Sequence, residues 1–114
     1  MEQATRVSTT SNQRVGIIGL AGDVTADAEQ EIVDAFRKLE QDGLRKFLLK
    51  FDQATYINSS GLAIIISLVS ESKKKKQTIA ASGLSNHFKK VFDVIGLTDF
   101  MDLYPTEEEA IRKL

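Results

Sequence analysis

Two hydroxyls stand side by side in the run Asn58-Ser59-Ser60-Gly61-Leu62. Ahead of them, Phe47-Leu48-Leu49-Lys50-Phe51 reads as a strand, followed by a linker ending in Tyr56-Ile57. Behind them, Leu62-Ala63-Ile64-Ile65-Ile66 reads as the start of a buried helix. Serines in that position fall where the first backbone N–H groups of a helix lack partners. A phosphate carried on one of them would meet the positive end of the helix dipole. The same residues also suit plain capping, because Asn and Ser are favoured caps and Gly a common turn residue.

Other chemistry finds less support. His87 is the single histidine, and no Gly-x-Ser-x-Gly elbow surrounds either serine. A triad of Ser59, His87 and an Asp has no spacing behind it, and a surface or capping role suits His87 better. Gly16, Gly19 and Gly22 recur every third residue, which is neither the dinucleotide fingerprint nor a P-loop. Asp52, after a central strand, invites comparison with the phospho-acceptor of two-component receiver domains. That site needs a pair of magnesium-binding acids after the first strand, and Asp23 stands there alone. The remaining carboxylates are scattered over helix faces and turns, so no metal site is expected.

The elements that must position the serines follow from periodicity. A buried strand is expected over 15–20, weakened by Gly16 and Gly19, with a turn at 22–25. Thr25 is a good N-cap for a helix that carries Ala28, Ile32, Ala35, Phe36 and Leu39 on one face and stops at Gly43. After the strand over 47–51 comes a helix from about 59 to 74. Its C-terminal end holds Lys73, Lys74, Lys75 and Lys76, where the dipole favours cations. Those lysines read first as a solvated helix end and second as a patch for a partner or anionic lipid. A short strand over 77–81 follows. Ser85 caps a helix bearing Phe88, Val91, Phe92 and Ile95, which Gly96 closes. The last strand is expected over 100–104, and Thr106 with Glu109 forms a capping box for a final helix. Strands alternating with helices mark an α/β fold, a central, mostly parallel sheet of βα units with about four helices.

Composition agrees with one globular domain. The chain has 114 residues, 42% of them hydrophobic and 27% charged. With 15 basic and 16 acidic residues, the net charge of −1 argues against broad binding of nucleic acid. There is no cysteine, so neither a disulfide nor a thiolate zinc site can form. No apolar run reaches the length of a membrane span, and residues 1–12 lack the apolar centre of a signal peptide. These features fit a cytoplasmic protein. Residues 1–13 are expected to form a flexible arm or an edge strand, with the domain over 14–114.

In this order of elements, residues 14–114 resemble the STAS family, in particular bacterial anti-sigma factor antagonists. The landmarks are Gly22-Asp23, Asp42-Gly43, the strand over 47–51, Ser59-Ser60-Gly61-Leu62, Val91-Phe92 with Gly96-Leu97, and the helix start from Glu107 to Ala110. The resemblance implies a protein that is a kinase substrate rather than an enzyme. Its partners would be an anti-sigma factor that is also a serine kinase, and a phosphatase that resets the cycle. Ser59 would be the phospho-acceptor, with Asp23, Asn58, Ser60 and Gly61 on the docking surface. Unphosphorylated, the protein would bind the kinase and free the sigma factor. No cofactor is implied, since ATP belongs to the kinase. Asn58 departs from the family, which usually has Asp there. A non-phosphorylated STAS subunit of a larger regulatory or lipid-transport complex is the alternative reading, motivated by Asn58 and the apolar run at 64–66.

Overall fold

Phe47, Leu48 and Leu49 are consecutive, and all three are fully buried. A strand buries successive residues only when both faces of its sheet are covered. The computed structural model, which describes residues 4–114, shows how. One sheet contains β1 (Arg6–Asn12), β2 (Val15–Val24), β3 (Lys46–Ile57), β4 (Thr78–Ser82) and β5 (Asp102–Tyr104). The strands lie in that spatial order, β1 antiparallel to β2 and the other neighbours parallel. The helices are α1 (Glu29–Gln41), α2 (Ser59–Lys74), α3 (Asn86–Val94) and α4 (Glu107–Lys113), with 3₁₀ turns at Ala26–Ala28 and Leu97–Asp99. This is the α/β architecture expected from the alternation of elements.

Residues on α1, α2 and α3 share one core with the sheet. It includes Ile18, Leu20, Phe36, Phe47, Leu49, Ile65, Val69 and Phe92. Phe36 and Phe47 pack with ring centroids 4.4 Å apart, and Phe51 meets Phe92 edge-on at 5.9 Å. A smaller core on the opposite face joins Val15, Ile17, Leu48 and Ala80 to Ala110 and Ile111 of α4. All five residues expected on the inner face of the first helix, Ala28, Ile32, Ala35, Phe36 and Leu39, are buried. The expected caps are also present. Asp27 N–H donates to Thr25 Oγ1, Phe88 N–H to Ser85 Oγ, and Glu109 N–H to Thr106 Oγ1. Gly43 and Gly96 have the positive φ of helix exits.

Three boundaries differ from the sequence reading. β2 continues to Val24, with Gly22 at φ +79° and register shifts on both sides of it. The expected turn at 22–25 is therefore a bulged strand end, which Gly22 permits. β3 runs on to Ile57, so the expected linker is strand paired with β2. Phe100 is not in the last strand. It follows the second 3₁₀ turn and is 51% exposed, with Lys73 Nζ 3.9 Å above its ring. Of the segment 1–13, residues 4–13 are described, and Arg6–Asn12 form the edge strand β1; residues 1–3 lie outside the described residues.

A polar seam ties the C-terminal ends of α1 and α2 together. Arg37 reaches Glu71 at 3.0 Å, and Lys75 reaches Glu40 at 2.9 Å and Glu71 at 3.4 Å. Gln77 Nε2 donates to Glu40 Oε2 at 2.7 Å. Lys75 is thus engaged within the fold rather than freely offered with its neighbours in the run 73–76.

Candidate functional site

β3 delivers the chain to α2 in one step, and that step sets the geometry of the serines. Ile57 pairs with Val24 in the sheet, and Asn58 N–H donates to the Val24 carbonyl at 3.2 Å. Asn58 then caps α2, its Oδ1 accepting from Gly61 N–H at 2.8 Å, while its own carbonyl accepts from Leu62 N–H at 2.9 Å. Ser59 and Ser60 are the first two residues of the helix, and both are exposed. Capping is thus done by Asn58 and by neither serine. Both hydroxyls stand outside the fold, beside the positive end of a 16-residue helix.

Gly61 has a packing role. It is buried, and a Cβ built on it would lie 2.2 Å from the Val24 carbonyl oxygen and 3.2 Å from Ile57 Cγ2. The space that glycine leaves is filled from within by β2. Gly61 thus lets the first turn of α2 pack directly on the end of β2.

Asp23 lies beside this helix start on the bulged end of β2, opposite Tyr56 of β3. Thr55 Oγ1 donates to Asp23 Oδ1 at 2.5 Å. Thr5 Oγ1 donates to the Asp23 carbonyl. The carboxylate is thus held toward the strand end that leads to Asn58. Of the expected site residues, the fold brings Asn58, Ser59, Ser60 and Asp23 to one end of the molecule, with Gly61 beneath them.

Aromatic residues border the same end. Tyr56, 54% exposed, meets Phe88 at 5.6 Å, and His87 stacks edge-on with Phe88 at 4.8 Å. Neither Tyr56 nor Phe88 stands out in the sequence as a surface residue. Phe88 lies on the apolar stripe of α3, and Tyr56 falls in a segment that reads as linker. The usable signal was the alternation at the end of β3, where Tyr56 must point away from buried Ile57.

A STAS domain model matches residues 6–110. The chain belongs to the STAS domain family. It is 20% identical over 95 residues to the anti-sigma-B factor antagonist of Staphylococcus aureus, which covers 83% of this chain and 88% of that protein. The STAS fold also superposes on SpoIIAA, the Bacillus cell fate determinant, in its phosphorylated form. That match has a TM-score of 0.74 and 22% identity, over 96% of this chain and 98% of the other. The anti-sigma factor antagonist SpoIIAA in its unphosphorylated form gives 0.73 at 20% identity, over 96% of each chain. An anti-sigma factor antagonist from Mycobacterium paratuberculosis gives 0.79 at 14% identity, over 96% of this chain and 93% of the other.

Proposed function

We propose that this STAS protein is an anti-sigma factor antagonist switched by phosphorylation of Ser59. The observation that carries the reading is the exposed Ser59 hydroxyl at the first turn of α2, next to a cap that does not consume it. The named relatives support the class of partner. The protein is a substrate here, and the kinase brings ATP. Asp23, Asn58 and Ser60 flank the acceptor, and Tyr56 and Phe88 add an aromatic border to the docking surface.

The switch follows from electrostatics. Phosphorylation adds about −1.5 to −2 charges at pH 7. The start of α2 tolerates that charge, because its dipole and its first N–H groups favour an anion. A partner surface fitted to a neutral hydroxyl does not. Burying an uncompensated charge costs several kcal/mol, enough to dissolve a micromolar complex. The fold persists while the complex is lost, and a phosphatase restores it. These events belong in the cytoplasm, where sigma factors act.

Asn58 keeps the cap but removes the negative charge that the family usually places beside the acceptor. Its amide is committed to Gly61 N–H, so the helix start is fixed without that charge. The deciding experiment is intact mass after incubation with the cognate anti-sigma kinase and ATP, for the natural chain and Ser59→Ala. One added phosphoryl group, absent in the variant, supports the switch. Binding to the kinase with no added mass would instead make the protein a constitutive antagonist. Neither addition nor binding would favour a non-phosphorylated STAS subunit of a larger complex.

A further inference from the structure

β1 is an edge strand, and its outer side pairs with no strand among the described residues. It joins β2 through a two-residue loop, Gln13-Arg14, with both residues at positive φ (51° and 68°). Such a tight hairpin makes its closing pair, Asn12 and Val15, a hydrogen-bonded one, and bonded pairs then recur at every second residue. Thr10, Ser8 and Arg6 therefore bond to β2, opposite Ile17, Gly19 and Ala21. The N–H and C=O groups of Val7, Thr9 and Ser11 point outward from the sheet.

Natural edges are usually guarded by proline, lysine, a bulge or a covering element. β1 reads Arg-Val-Ser-Thr-Thr-Ser-Asn and contains neither proline nor lysine. Its pairing with β2 runs without a register shift. The opposite edge, β5, has three residues and offers much less backbone.

We infer that the β1 edge is a self-association surface, on which a second copy of this chain pairs antiparallel across a two-fold axis at Thr9. The sequence of β1 is complementary to itself in that register. Thr9 meets Thr9 of the second copy, Ser8 meets Thr10, Val7 meets Ser11, and Arg6 meets neutral Asn12. No like charges oppose each other, and hydroxyl-bearing pairs of this kind favour antiparallel pairing. The two five-stranded sheets become one continuous sheet of ten strands.

Helix α1 adds charge complementarity. It packs over β1 and β2, and its Arg37 and Glu40 face α2 through Glu71 and Lys75. Glu31 and Lys38, two turns apart on α1, lie on the other exposed flank, toward β1. The two-fold axis sets the two α1 helices antiparallel beside each other. The Glu31 end of one then lies along the Lys38 end of the other, twice over.

Light scattering or sedimentation equilibrium across micromolar to millimolar protein tests this. The expected mass rises from 12.6 kDa toward twice that value with concentration. Thr9→Pro removes an outward N–H without touching the β1–β2 ladder, and is expected to weaken the dimer by about tenfold or more. Thr9→Lys, which places two cations across the axis, serves the same purpose if the proline variant unfolds. Lys38→Glu is expected to weaken association, and adding Glu31→Lys to it to restore association. A monomer throughout the concentration range overturns the proposal. So does a dimer that persists unchanged in a folded Thr9 variant.

Discussion

The α-carbon of Gly61 faces the carbonyl of Val24 so closely that a Cβ there would lie 2.2 Å from its oxygen. The obstructing atom is backbone, held in the β2–β3 pairing, and it cannot rotate aside. Gly61→Ala must therefore push α2 away from the end of β2. The expected cost is about 1–3 kcal/mol, as for other overpacked interiors. Urea unfolding measures it. An unchanged midpoint would show that α2 shifts freely, and the placement of Ser59 would then not be fixed by this contact.

Asn58 is the cap of α2, so Asn58→Ala is expected to cost about 1 kcal/mol. Asn58→Asp keeps the acceptor for Gly61 N–H and adds a charge that the dipole favours by about 0.3–1 kcal/mol. Equilibrium unfolding should rank the variants Asp, natural, Ala in descending stability. The same Asp variant, treated with the proposed kinase, shows whether a charge beside Ser59 speeds the proposed phosphorylation.

Tyr56 touches Phe88 but remains over half exposed. Tyr56→Ala is expected to leave the unfolding midpoint nearly unchanged and to weaken binding to the proposed anti-sigma partner by tenfold or more, since exposed aromatics are frequent interface anchors (about 1.4 kcal/mol or above). Calorimetric titration with the partner checks this. A loss of stability with unchanged affinity would assign the ring pair to the fold alone.

Glu40 anchors the seam between α1 and α2. Burial pushes its carboxyl up, but hydrogen bonds from Gln77, Lys75 and Arg37 outweigh this and hold it below the ordinary carboxylate value. A depressed pKa in the folded state stabilises the protein above the unfolded value, about 4.3 for Glu. That contribution is lost as pH falls through the folded value. Glu40→Gln is therefore expected to lessen the loss of stability on acidification below that point. Urea midpoints at neutral pH and near pH 3, the latter chosen to lie about one unit below the ordinary value, make the comparison.

Ser72 is fully buried, and its hydroxyl finds no hydrogen-bond partner among the described residues. A buried polar atom without a partner costs about 1–3 kcal/mol. Ser72→Ala is thus expected to raise the unfolding midpoint. A clear loss of stability would show that the hydroxyl is satisfied in solution.

Periodicity marked much of this arrangement in advance. The apolar face of α1, the start of α2 after Asn58 and the exit at Gly96 all depend on local spacing, capping and φ, which neighbouring residues determine. β3 beyond Phe51 was hidden because Asp52, Gln53, Thr55 and Tyr56 are exposed, so no apolar run announces the strand. Pairing with β2 makes it a strand, and that partner is distant in sequence. The role of Gly61 was hidden for the same reason, since nothing near it in the chain predicts the Val24 carbonyl. Phe100 reads as a strand residue, yet Lys73 from α2 caps its exposed ring. The place of Ser59 at the start of a helix was legible, and the aromatic border beside it was not.

The sheet divides the molecule unequally. Three helices and most of the large side chains occupy one face, while α4 holds the other with Ala110 and Ile111 as its buried residues. A seven-residue helix with so small a footing has few contacts to lose. It is expected to open before the rest of the fold, so that its amides exchange with solvent ahead of those of β2, β3 and α2. Hydrogen exchange followed by mass spectrometry would then show α4 opening and reclosing while the platform under Ser59 stays protected.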